Sequence, residues 1–332
     1  MKKKEINVAE GFQKDHMLTR SQKRLIFYCL VFALPLLQFC IFYIYVNINT
    51  FVYAFSSYKI RTDGVPGYNI TFTFDNVVKA WTMFWSAGRM IRNSVVSFAS
   101  SFIIVTTAGL LFSYYVAKKY MLAGFFRVTL YLPHIVSGVV LTLLYKYIVN
   151  DVFAVVSKQL FSAEFLEENK ITYGLLASGV PYDIQYGALL FYSLWMGFGG
   201  NVLIYSGTMS AIDNSIIESA QLDGVNVLQE FWHIYIPMIF PTIVTFIVTG
   251  FTGIFTGQMG LYTIFGEGAP GDLRTMGYFI FVSTKHGSLY QGASGFFDFC
   301  ELAALGILIT AIVVPVTMIT RKLLETYGPR TD

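Results

Sequence analysis

The chain has 332 residues, of which 55% are hydrophobic and 13% charged, a net charge of +3 and a mean hydropathy of +0.57. A soluble protein carries about 25% charged residues, so this composition excludes a soluble two-domain enzyme and predicts an all-α polytopic membrane protein. The Lys and Arg residues gather near the chain ends and one link, so they form no basic surface and nucleic acid is excluded as a partner. Cys29, Cys40 and Cys300 each sit inside an apolar run without metal-ligand spacing, which argues against both a disulfide framework and a metal site.

A bilayer core takes about 20 apolar residues per helix. The runs that meet this lie at 25–55, 93–117, 128–149, 187–211, 235–257 and 297–320, giving six transmembrane helices. The first follows a basic segment, 1–24, has no small-residue cleavage site after it, and reads as a retained anchor with a kink at Pro35. Lys2, Lys3, Lys4, Lys14, Arg20, Lys23 and Arg24 precede it, Lys118, Lys119 and Arg127 lie between the second and third runs, and Arg321 and Lys322 close the sixth. These clusters share one side, so the positive-inside tendency predicts that both termini are cytoplasmic, in a multi-pass protein of the cell membrane. The opposite links, 56–92, 150–186 and 258–296, are longer and of mixed charge, with a short solvated helix expected over 162–170. The chain divides into the basic segment 1–24, a first helix with its external loop at 25–92, a core at 93–320 and a tail at 321–332.

The link 212–234 falls on the cytoplasmic side yet holds Asp213, Glu218, Asp223 and Glu230 and no Lys or Arg. Ser215 and Glu218 have capping-box spacing and predict a helix start at Ser215. Asp223-Gly224 is a turn signal, and Asn226 with Gln229 predicts the cap of a second helix running to Pro237. The expected shape is a compact helix, turn and helix. A helix lying on lipid would carry Lys and Arg on its polar face, so the acidic link points to a basic cleft on a protein partner.

The stretch Glu218-Ser-Ala-Gln-Leu-Asp223-Gly224, with Phe231, Ile234, Ile236-Pro237 and Pro241 after it, resembles the cytoplasmic signature loop of ABC importer permeases. Asn93, Arg127 with Leu132-Pro133, Trp195 with Gly197, and Gly268-Ala269-Pro270 fall where carbohydrate-importer permeases of the maltose-transporter type carry similar elements. Ser219, Val225, Ile236 and Ala269 depart from that pattern while roughly keeping size and polarity. The resemblance spans residues 25–320 and implies a type I ABC importer transmembrane domain with a cytoplasmic coupling helix. It further implies a second homologous permease, two ATP-binding cassette subunits that hold ATP and Mg, an extracytoplasmic solute-binding protein and a sugar cargo. Membrane lipid surrounds the whole.

On that resemblance Glu218, Ser219, Ala220, Asp223 and Gly224 couple the chain to the ATPase, Glu218 pairing with a basic group and Ala220 allowing close approach. The chain lacks the Gly-rich Lys-Ser/Thr loop that cradles ATP phosphates, so it is expected to be no enzyme and to bind no cofactor itself. The substrate path is expected between the fourth, fifth and sixth helices. Its candidates are Gly197, Gly200, Asn201 and Tyr205 on the fourth, and Phe251, Phe255 and Gln258 on one face of the fifth, with Tyr262 beyond it. Asp298 and Glu301 read as a solvated start of the sixth helix. Two other readings remain open: an importer of the same fold for a non-sugar solute, and a standalone ion-coupled carrier, which would place ionisable residues within the spans.

Overall fold

The computed structural model describes residues 19–60, 68–287 and 298–329. The expected basic residues Lys2, Lys3, Lys4 and Lys14, the end of the 258–296 link and the last three residues lie outside them.

Among the described residues, six helical segments are long and apolar enough to cross a membrane. Helix α1 (Arg20–Ala54) opens with a Thr19/Gln22 capping box and passes Pro35 without breaking, though Cys40–Tyr45 is wound as a π turn. It gives way to an antiparallel hairpin, β1 (Ser56–Ile60) and β2 (Tyr68–Phe72), then to a surface helix α2 (Asp75–Ser86). The 56–92 link, expected only as a connector of mixed charge, thus carries both a hairpin and a helix. Asn76, fully buried, donates to the carbonyls of Ala54 and Ser56 at 3.2 and 2.8 Å, which pins α2 against the end of α1.

Helix α3 (Gly88–Ala117) begins earlier than the expected 93. It packs along α7 (Tyr182–Ser210), where Gly109 gives way to Asn201 and Tyr205, and the Ser113 hydroxyl donates to Val202 O at 3.1 Å. Between these two lies the third crossing, which differs from the expected single run at 128–149. It consists of α4 (Ala123–Ile135) and α5 (Gly138–Leu160), parted by extended backbone at Val136 and Ser137. Length and composition single out α5, but contacts show the crossing to be shared. His134 meets Gly200, while Thr142 and Tyr145 bond to Tyr192 and the Ala188 carbonyl at 2.5 and 2.6 Å, so α4 and the first half of α5 run antiparallel to α7 in turn. A Cβ on Gly199 would collide with the Leu130 carbonyl, so a glycine is what lets α4 lie this close.

After α5, the short helix α6 (Ala163–Glu168), capped by Ser162, matches the helix expected over 162–170, with Leu166 buried beneath it. The link between α7 and the fifth crossing carries α8 (Asn214–Leu222). The fifth crossing, α9 (Val227–Thr252), is displaced towards the N-terminus from the expected 235–257. Its π turn at Phe231–Tyr235 precedes Pro237, which has no N–H for the His233 carbonyl and crowds it; the wider turn accommodates both. The helix ends at Gly253 within a Gly-rich stretch, so Phe255 and Gln258 do not continue its face. Two short helices, α10 (Leu261–Phe265) and α11 (Met276–His286), fold back over the hairpin end of the bundle.

Helix α12 (Phe299–Tyr327) is the sixth crossing. Its start is not solvated as expected: Asp298 is buried and forms a capping box with Glu301, and Glu301 accepts from Lys79 of α2 at 2.5 Å. That bond holds the Lys79 ammonium above its ordinary pKa.

Asn93 is the hub of the hairpin end. Fully buried, it donates to the carbonyls of Asp272 and Arg274 at 2.7 and 3.1 Å and accepts from the Tyr182 hydroxyl at 2.8 Å. The Gly268-Ala269-Pro270 loop is held beside it: the Tyr278 hydroxyl donates to Gly266 O and accepts from Ala269 N.

Candidate functional site: a projecting link and an interhelical cleft

The link between α7 and α9 is built locally. Asp213, rather than Ser215, caps α8 by accepting from the Ser215 amide at 2.9 Å, and this bond holds its carboxyl below the usual carboxylate range. Ser215 is instead inside the helix, where its carbonyl accepts from the Ser219 hydroxyl. The turn falls at Gly224, whose φ of +79° a side chain would strain. The expected Asn226/Gln229 capping box is present, with bonds of 2.9 and 3.0 Å, but the helix it starts is α9 itself. The link is therefore one helix and a turn hung from the end of a membrane span.

No residue of α8 is buried. Glu218, Ser219 and Asp223 are exposed, Ala220 half-buried, and Leu222 is 89% exposed. Trp232 and Leu228 continue this open surface on α9. Ile212 and Ile217 root the link in a cluster of Tyr205, Met209, Phe231 and Tyr235. The next charge along the chain behaves differently. Glu230 is buried and accepts from Lys118, at the end of α3, at 2.6 Å. Above that pair the Tyr114 ring meets Phe231 and Tyr235 at centroid distances of 5.3 and 4.9 Å. Glu230 thus differs from the other acids of the link, with which its position in the sequence groups it.

The cleft lies among α3, α7 and α9, with a volume of about 400 Å³. Helix α12 contributes no residue to its lining. Of the expected path residues, Gly197 and Asn201 line it. Phe251 reaches it through Phe98, with ring centroids 5.2 Å apart, and Tyr205 through Phe246 at 5.0 Å. Tyr205 is fully buried and its hydroxyl has no hydrogen-bond partner among the described residues.

The remaining four candidates lie outside the lining. Gly200 serves the contact with His134. Phe255 packs on Phe84 in another cluster, and Gln258 sits in the turn before α10, its carbonyl accepting from Leu261. The Tyr262 hydroxyl bonds Lys285, which also reaches Glu267 at 3.0 Å. Lys285, together with His286, holds the exposed Glu267 carboxyl below its usual range. Sequence reasoning missed the wall formed by α3, where Ser94, Ser97 and Ser101 face the cleft. Their helical spacing within an apolar run was the available signal.

The arrangement is thus six crossings, the third of them split, with a link projecting between the fourth and fifth. The same fold is found in a bacterial ABC transporter involved in the import of the acidic polysaccharide alginate. One of its chains superposes with a TM-score of 0.67 at 18% identity, over 93% of this chain and 99% of that one. The alginate transporter in complex with its pentasaccharide-bound periplasmic protein gives 0.64 at 17% identity. A family model described as "Binding-protein-dependent transport system inner membrane component" matches residues 101–331, and the chain belongs to this family.

Curated relatives include the arabinooligosaccharides transport system permease protein AraP of Bacillus subtilis (strain 168), 21% identical over 88% of this chain and 87% of that protein. The galactooligosaccharides permease GanP of the same organism is 26% identical over 74% of this chain, which spans 54% of GanP.

Proposed function

We propose that this chain is the permease subunit of an ATP-driven importer that accepts a sugar of oligosaccharide size from an extracytoplasmic solute-binding protein. It passes the sugar to the cytoplasm by alternating access. Its relatives AraP and GanP are named for oligosaccharide transport, and the alginate structure includes a saccharide-bound periplasmic protein. In this reading a second permease completes the pathway, and two ATPase subunits hold ATP and Mg. The termini, the Lys118 link and α8 face the cytoplasm, as the Lys and Arg clusters favour.

The observation that carries the proposal is α8, an exposed acidic helix with open apolar residues beside it, rooted in two membrane spans. Such a helix fits a groove on the ATPase, with Glu218 meeting a basic group, Ala220 permitting close approach, and Asp223 and Gly224 shaping the turn. Closure of the ATPase pair then moves α8, and the spans rock with it. Glu218→Lys tests this. Uptake is expected to fall by at least about tenfold, with less ATPase co-purifying, because a charge reversal at a docked carboxylate costs more than about 1.4 kcal/mol. Normal uptake with full ATPase retention would refute the coupling role.

A further inference from the structure

We propose that the short link between α3 and α4 holds an acidic phospholipid, with an acyl chain in the groove beside the link and the headgroup phosphate on Lys119 and Arg127. The Lys118–Glu230 pair places this link on the same face of the membrane as α8.

The link runs over residues 118–122, between the end of α3 at Ala117 and the start of α4 at Ala123. A tight connection that faces water is usually built from Gly, Pro, Asn, Asp and Ser. This one reads Lys-Lys-Tyr-Met-Leu, and Tyr120, Met121 and Leu122 are all exposed, Met121 at 81%. Its backbone is left-handed at Lys119 and Leu122, with φ of +54° and +62°, a conformation that glycine adopts far more readily. The Tyr115 hydroxyl secures the turn by donating to the Met121 carbonyl.

Beside the turn, Leu111, Phe112, Tyr115 and Phe126 line a groove of about 390 Å³ whose wall carries no charge. The Tyr115 ring stands against Phe126 and Tyr120 at centroid distances of 5.9 and 5.4 Å. Leu111 lies about 9 Å from the end of α3 at a rise of about 1.5 Å per residue, so the groove opens at the depth where an acyl chain meets its headgroup.

Charge decides which lipid fits. Lys118 is engaged by Glu230, whereas Lys119 and Arg127 are exposed and form no ion pair among the described residues. Arg127 directly follows Phe126 of the groove. Two unmatched cations beside an apolar groove suit a headgroup of net negative charge, while a phosphatidylcholine headgroup brings its own cation and leaves them unmatched. The link around α8, with Asp213, Glu218 and Asp223, has the opposite sign and is repelled by such a lipid. One face of the molecule thus divides into an acidic part suited to protein and a basic, apolar part suited to lipid.

The test uses the purified protein with the subunits that co-purify, in phosphatidylcholine vesicles doped with a phosphatidylglycerol that bears a diazirine in its acyl chain. After illumination the labelled peptides are mapped. Label is expected on residues 111–127, displaced by excess unlabelled phosphatidylglycerol and not by extra phosphatidylcholine. Lys119→Gln and Arg127→Gln should each lower it about fivefold, the effect of one cation at an acidic membrane surface. Lys119→Arg, which keeps the charge, should leave it unchanged. Both side chains are exposed, so these changes leave the fold intact.

Label that phosphatidylcholine displaces equally well marks an annular lipid only and overturns the proposal. Label that both Gln variants leave unchanged, or an absence of label from this stretch, overturns it too. Loss of a co-purifying subunit from the Gln variants with no change in label would identify the occupant as protein instead.

Discussion

Helix α8 and the first turns of α9 adjoin in the chain, and both carry acidic residues, yet they meet opposite fates. Glu218 on α8 and Asp223 at its end stand exposed, whereas Glu230, a few residues on, is buried against Lys118 beneath an aromatic cluster. The difference shows what an acid in a membrane protein's link can do. One set is available to another chain, and the other fastens this chain to itself.

The sharpest way to break that contrast is to remove the fastening. Glu230→Gln leaves Lys118 short of its counter-charge in a largely buried site and should cost about 3 kcal/mol. It would be read as a clear drop in the thermal midpoint of the purified permease, while Glu218→Gln leaves that midpoint almost unmoved.

Gly224→Val comes next. A β-branched residue at a φ of +79° costs about 1–2 kcal/mol and shifts the angle between α8 and α9. Uptake should fall while the amount of chain in the membrane holds. Asn226→Ala removes the cap of α9 and should cost about 1 kcal/mol, seen as faster hydrogen exchange over the first turn of α9 alone.

The smallest effect is the cap of α8. Because the Ser215 amide depresses the folded pKa of Asp213, its stabilisation is present above about pH 4 and is lost as the pH falls through the folded value. Exchange at the Ser215 amide should accelerate over that range, and Asp213→Asn should flatten the dependence.

The crossings were legible because each is a long apolar run, and Asn226, Gln229 and Gly224 were legible because caps and tight turns use short-range chemistry. What escaped depends on contacts between distant parts of the chain. Periodicity does not disclose that Gly199 leaves room for the Leu130 carbonyl, and so the division of the third crossing at Val136 was hidden. Asp213 took the cap that Ser215 was expected to fill because both are good caps, two residues apart, and local spacing ranks them equally. The lining of the cleft escaped for a related reason. Its third wall is the serine face of α3, and which helix lies opposite α7 is a matter of tertiary packing.

The Lys118–Glu230 pair also sets the mechanics of the molecule. Helix α9 carries that brace at one end and Gly250, a wall of the cleft, about 30 Å further along at a rise of about 1.5 Å per residue. A push on α8 therefore acts on a lever whose handle end is clamped to α3. A tilt of about 5° there becomes a displacement of about 3 Å at the cleft, the length of a hydrogen bond. On this geometry a modest rotation at the link is enough to make or break contacts across the cleft.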